Sequence, residues 1–204
     1  MEKVKTSKRF DVRRLVFTAL MAALSYVLAE FMKFKVPIMP SFMTFDFSDA
    51  PAMLASLTMG PVSGVSVCLI KNIFGCFTTK TGCVGELSNF ILGVSLVVPA
   101  GIIAHRRVKF SRAVIAGAVG AVVMAVMGFV SNFLLIYPLF GLIGWSTEAI
   151  IGMYQEILPS VDNLAQCLLI FNVPFTFVKG AIAAVVSIVL YKRLRPIFNS
   201  MYRE

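Results

Sequence analysis

Apolar residues run in long blocks along this chain, separated by short polar or proline-containing connections. A helix needs about 20 apolar residues to cross a bilayer, since it rises about 1.5 Å per residue through about 30 Å of hydrocarbon. The pattern predicts a first helix over residues 14–31 and then a loop over 32–45, where Pro37 and Pro40 stop any helix. Asp46-Phe47-Ser48-Asp49-Ala50-Pro51 reads as a helix start, with acidic caps at the positive end of the helix dipole. Gly60-Pro61 then divides one apolar block into a second helix, 48–59, and a third, 61–77. The second is short for a span and is expected to be tilted or buried against its neighbours. A fourth helix is predicted over 84–103, a fifth over 113–137 with continuation to 143 left open, and a sixth over 164–191. The expected fold is all-α integral membrane, with six transmembrane helices in a single domain, 1–204, and no internal repeat.

One charge stands out against this pattern. Lys179 lies alone inside the apolar stretch 164–191. It is about 20 Å along the helix from Lys192, too deep to reach the near interface easily. A charge at that depth normally faces a cavity, a partner or a ligand. Asn172, Thr176 and Lys179 fall at i, i+4 and i+7, so an amide, a hydroxyl and an ammonium share one helix face. Pro174 has no N–H and leaves the Ile170 carbonyl without its helical partner. A polar stripe beside loosened backbone reads as a binding site. On this reading, Lys179→Met weakens binding and leaves stability unchanged or raised, because a desolvated charge is removed.

Composition and charge agree with a membrane protein. Only 14% of the 204 residues are charged and 58% are hydrophobic, against about 25% charged in soluble domains. The net charge of +9 does not point to nucleic acid, because no soluble domain gathers it on one surface. Basic residues cluster at three points: Lys3, Lys5, Lys8, Arg9, Arg13 and Arg14; Arg106, Arg107, Lys109 and Arg112; Lys192, Arg193, Arg195 and Arg203. With six spans all three points share one side, which the positive-inside rule makes the cytoplasm. Both termini are then cytoplasmic, and residues 1–13 form a basic cytoplasmic segment. Five spans would break that agreement. The N-terminal region is expected to be a retained helix rather than a cleaved signal, since no small-residue cleavage site comes before Glu30.

Other motifs are weaker. Ala19 and Ala23 form a small-xxx-small pair, suited either to internal packing or to docking another helix. Glu86, Asn89 and Gly93 share a face of the fourth helix, and Glu86 is open to pairing with Lys71 or Lys179, to a ligand, or to water. Asn132 lies about 30 Å from Arg112, at a depth similar to Asn172. The 39–47 loop, with Met43, Phe45 and Asp46, carries thioether and aromatic groups suited to a planar apolar ligand. Cys76 and Cys83 flank an outer loop, where a disulfide is open; Cys68 and Cys167 read as packing residues. Neither a metal site nor a catalytic set is expected: there is one histidine, His105, no CxxC, no G-x-S-x-G and no H-E-x-x-H. No G-x-x-x-x-G-K-[ST] is present to bind ATP.

Taken together, Asp46-Phe47-Ser48-Asp49-Ala50-Pro51-Ala52, Gly60-Pro61, Lys71-Asn72, Thr81-Gly82, Glu86-Leu87, Asn89-Phe90, Pro174-Phe175 and Lys179-Gly180 resemble the riboflavin-specific S components of energy-coupling factor (ECF) vitamin transporters. The resemblance runs from the first helix to the C-terminal tail. It implies a multi-pass subunit of the prokaryotic cell membrane that binds riboflavin as transported substrate, with no cofactor. The implied partners are a transmembrane coupling subunit, which meets an alanine motif on the first helix (here Ala19 and Ala23), and two cytoplasmic ATPases. The implied ligand site uses the first loop and helices four to six. The substrate-binding candidates are Met43, Phe45, Asp46, Glu86, Asn89, Asn132, Asn172, Thr176 and Lys179. Thr176 stands where the family often has asparagine; Asn172 is one turn away. An S component for another vitamin, a proton-coupled carrier using Glu86 and Lys179, and a small membrane enzyme remain as alternatives.

Overall fold

The computed structural model describes residues 12–40, 42–79, 81–104 and 110–201, with side chains as far as residue 194. Most of the basic N-terminal segment, the cluster His105–Lys109 and Arg203 fall outside it. Seven continuous helices occur among the described residues: α1 (Val12–Phe31), α2 (Asp49–Met59), α3 (Pro61–Gly75), α4 (Val84–Ala104), α5 (Phe110–Leu142), α6 (Thr147–Gln155) and α7 (residues 164–201). Between α1 and α2 the chain forms a small antiparallel ribbon, β1 (Phe34–Lys35) and β2 (Thr44–Phe45), with Phe34 opposite Phe45. The fold is thus mostly helical rather than wholly so. Four helices (α1, α4, α5 and most of α7) are long and apolar enough to span a membrane, and α3 is a shorter apolar helix.

The break at Gly60-Pro61 is real. Gly60 adopts φ +97°, a region that side chains disfavour, and Pro61 opens α3 where its missing N–H costs nothing. The short α2 is the centre of the bundle. All eleven of its residues are buried, and it packs against α1, α3, α4 and α7. Small side chains allow this: Ala50, Ala52, Ala55, Ala100, Ala116, Ala183 and Ala184 meet in one core. Where α5 crosses α4, a Cβ added at Gly120 would lie 2.7 Å from the Leu96 carbonyl oxygen.

Two features were not predicted from the sequence. The first is α6, whose signal is Ser146: its hydroxyl accepts from the Ala149 N–H at 3.2 Å, with Glu148 in the first turn. The second is a pair of π-turns, Asn132–Ile136 in α5 and Leu168–Asn172 in α7. Each ends two residues before a proline, Pro138 or Pro174. A proline donates no hydrogen bond and crowds the carbonyl four residues back, and a widened turn relieves both problems.

The alanine pair on α1 does not pack internally. Thr18, Ala22 and Ser25 face the bundle, whereas Ala19 and Ala23 are exposed, beside exposed Leu20, Leu24 and Val27.

Candidate functional site

The start of α2 is tied to three other helices by a buried ionic cluster. Lys179 of α7 donates to Asp46 Oδ2 at 2.9 Å and sits 3.6 Å from Asp49 Oδ2. Lys71 of α3 donates to Asp49 Oδ1 and to Ser48 Oγ, both at 2.6 Å. Ser48 donates its N–H (2.9 Å) and its hydroxyl to Asp46 Oδ1. Ser25 of α1 closes on the Ser48 carbonyl at 2.5 Å. No charged side chain here is more than 8% exposed. Two lysines face two aspartates, so the cluster is neutral; the Asp46 carboxylate accepts from Lys179 and twice from Ser48, and Asp49 accepts from Lys71 with Lys179 close by, so each buried charge is paired.

This geometry corrects two sequence expectations and closes one alternative left open for Glu86. Asp46 and Asp49 are not simple helix caps; their carboxylates serve Lys179 and Lys71. Glu86 pairs with neither lysine; it accepts from the hydroxyls of Thr79 (2.7 Å) and Thr81 (3.3 Å). Lys179 is not a solitary charge, so its removal leaves an unmatched carboxylate and the expected sign of the stability change reverses. The thiols of Cys76 and Cys83 are free, as are the buried Cys68 and Cys167.

Above the cluster lies a cavity of about 110 Å³, walled by α4, both π-turn regions and the loop after the ribbon's first strand. Met43, Asn89, Asn132, Asn172, Thr176 and Lys179 all line it. Asn132 opens one π-turn and Asn172 ends the other. Ser88 donates to Asn132 Oδ1 at 3.0 Å, which leaves the Asn132 amide N–H groups for the cavity. Thr176 commits its proton to the Asn172 carbonyl at 2.7 Å. Lys179 keeps N–H capacity beyond its bond to Asp46. The polar wall is therefore rich in donors. Opposite it, Phe42 sits in an aromatic nest of Tyr137, Phe140, Trp145 and Tyr154, at ring separations of 6.1–6.5 Å.

Three candidates stand back from this wall. Asp46 lies behind Lys179. Phe45 is buried among Phe34, Phe47 and Phe175. Glu86 reaches the cavity only through Thr81 and itself lines a larger space of about 380 Å³ between α3 and α4. That larger space is open and mostly apolar, and the convergent polar groups belong to the smaller one. The sequence reading missed Phe42, Ser88, Tyr137 and Tyr154. Only the aromatic character of the first loop hinted at Phe42.

Comparison with known proteins places this architecture. Residues 13–191 match the family described as the ECF transporter, substrate-specific component. The riboflavin transporter RibU of Staphylococcus aureus (strain TCH60) is 31% identical over 183 residues, covering 89% of this chain and 90% of that protein. The riboflavin transporter FmnP of Bacillus subtilis (strain 168) is 25% identical over 190 residues, covering 91% and 93%. The solved S component of a bacterial ECF transporter superposes with a TM-score of 0.64 at 30% identity, covering 94% of this chain and 99% of its own. Sequence and structure agree along nearly the whole chain: it is a multi-pass protein of the cell membrane and belongs to the substrate-specific components of ECF transporters.

Proposed function

We propose that this chain captures riboflavin at the outer face of the membrane and delivers it inward by ATP-driven uptake. The observation that carries this reading is the donor-rich wall of Asn132, Asn172 and Lys179 facing the aromatic and thioether loop of Phe42 and Met43. A flavin fits both sides: one edge of its ring system is rich in acceptors, and its faces suit aromatic and sulfur contacts. The names of the two relatives point the same way. The charge balance of the cluster favours riboflavin over a phosphorylated flavin, since Lys179 is already matched by Asp46 and Asp49. The cavity is smaller than the roughly 300–1,000 Å³ of typical ligand sites. Riboflavin is accordingly admitted by displacement of the Phe42–Thr44 loop.

In this reading the chain crosses the membrane six times, with α1 to α5 and α7 as spans and both termini in the cytoplasm. Arg14, at the start of α1, donates to Ser63 at the start of α3 at 3.1 Å, which supports one shared end for the N-terminal side and the Gly60 turn. A C-terminal tag that is labelled on intact cells would overturn this orientation. A coupling subunit meets the exposed Ala19–Ala23 face, and two ATPases hydrolyse ATP; the chain itself performs no catalysis.

Titration of purified protein with riboflavin tests the assignment. The expected result is 1:1 binding with quenched flavin fluorescence, because the ring system enters an aromatic nest. Folded protein that gives neither quenching nor heat overturns it.

A further inference from the structure

The Asn172 side chain is one member of a closed hydrogen-bond ring. The Tyr154 hydroxyl lies 2.6 Å from Asn172 Oδ1. The Tyr137 and Tyr154 hydroxyls lie 2.6 Å apart. Asn172 Nδ2 is 3.4 Å from the Tyr137 oxygen. These distances give the ring a direction. Separations of 2.6 Å suit O–H···O bonds and are too short for a neutral N–H···O bond, whose usual range is about 2.7–3.2 Å. The Asn172 atom beside Tyr154 is therefore its oxygen, and Tyr154 donates to it. Tyr154 then accepts from Tyr137, and Tyr137 accepts from an Asn172 N–H. The two short bonds run the same way around the ring, so one polarises the next, and the longer 3.4 Å contact closes it weakly.

An amide carries two N–H donors and one oxygen. The ring takes the oxygen and one N–H, and the second N–H is what Asn172 has left for the cavity it lines. The geometry points to Tyr154 and Tyr137 as positioning residues that hold the Asn172 amide with its nitrogen toward the ligand. This rests on the flavin reading above and extends it: selectivity for an acceptor-bearing edge comes partly from two tyrosines acting through Asn172, one of them, Tyr137, itself part of the cavity wall. It also accounts for Thr176, whose hydroxyl proton is committed to the Asn172 carbonyl. The fixed donor on this stretch of α7 is supplied one turn earlier.

A double-mutant cycle read by riboflavin titration tests the proposal. Tyr154→Phe keeps the ring that packs on Phe42 and Phe171 and removes only the hydroxyl. It is expected to weaken riboflavin binding about tenfold, the scale of one neutral hydrogen bond. In an Asn172→Ala background the same substitution is expected to change affinity less than about twofold, because no amide remains to be oriented. Equal losses in both backgrounds mean that Tyr154 acts through the fold or through Met43, whose sulfur its hydroxyl also meets at 3.7 Å, and they overturn the proposal. Asn172→Asp provides a second arm, decisive where Asn172→Ala fails to fold or to bind measurably. Its carboxylate still accepts from Tyr154 but offers no N–H, so riboflavin binding is expected to fall at least tenfold; retained binding overturns the proposal. A folded wild-type chain that binds no riboflavin overturns the flavin reading and this inference together. Wild-type binding with equal losses overturns the orientation role alone.

Discussion

Lys179→Met is expected to abolish riboflavin binding and also to destabilise the protein by about 3–5 kcal/mol, the cost of breaking a buried ion pair by removing one partner. Asp46 Oδ2 would lose its ammonium donor in a site with almost no solvent contact. Thermal unfolding in detergent, with and without Asp46→Asn in the same chain, separates the two effects. The double variant removes the orphaned carboxylate, so stability should largely return. Binding should not return, because the ammonium that lines the cavity is still missing. A single variant as stable as wild type would show that the cluster contributes nothing to folding. A double variant that binds riboflavin normally would remove Lys179 from the site.

The second large effect is expected on α1. Ala19→Leu together with Ala23→Leu should eliminate uptake in cells and co-purification with the coupling subunit, while riboflavin binding in detergent stays near wild type. Both alanines are exposed on α1 and touch neither the ionic cluster nor the cavity. Small side chains at that spacing let another helix backbone approach closely, and two leucines would hold it away. Intact uptake in the double variant would rule out this face for docking. Loss of detergent binding along with uptake would mean that the α1 surface is coupled to the site through the bundle.

What the sequence revealed was local. The Gly60-Pro61 break follows from one residue that tolerates positive φ and one that cannot continue a helix. The face shared by Asn172, Thr176 and Lys179 follows from helical spacing, and all three line the cavity. What it concealed was pairing over distance. Asp46 and Lys179 are 133 positions apart, and no periodicity announces that contact, so Lys179 read as solitary and Glu86 as its nearest acidic candidate. The π-turns were half visible: Pro174 marked a disturbed carbonyl, but the widened turn that places Asn172 at its end needs three-dimensional context. The tyrosines were hidden for another reason. A buried tyrosine and an interfacial one look alike in sequence, and only the ring through Asn172 separates them.

The cancellation of Lys71 and Lys179 by Asp46 and Asp49 has an electrical consequence. Should delivery turn the site across the membrane, each uncompensated charge carried through the full field would do work of about 2.3 kcal/mol per 100 mV. A neutral cluster holding neutral riboflavin carries no net charge along that path. The cluster and its ligand would then add nothing to the voltage dependence of that step, so any response to membrane potential at constant ATP would come from charges outside the cluster, such as Glu86.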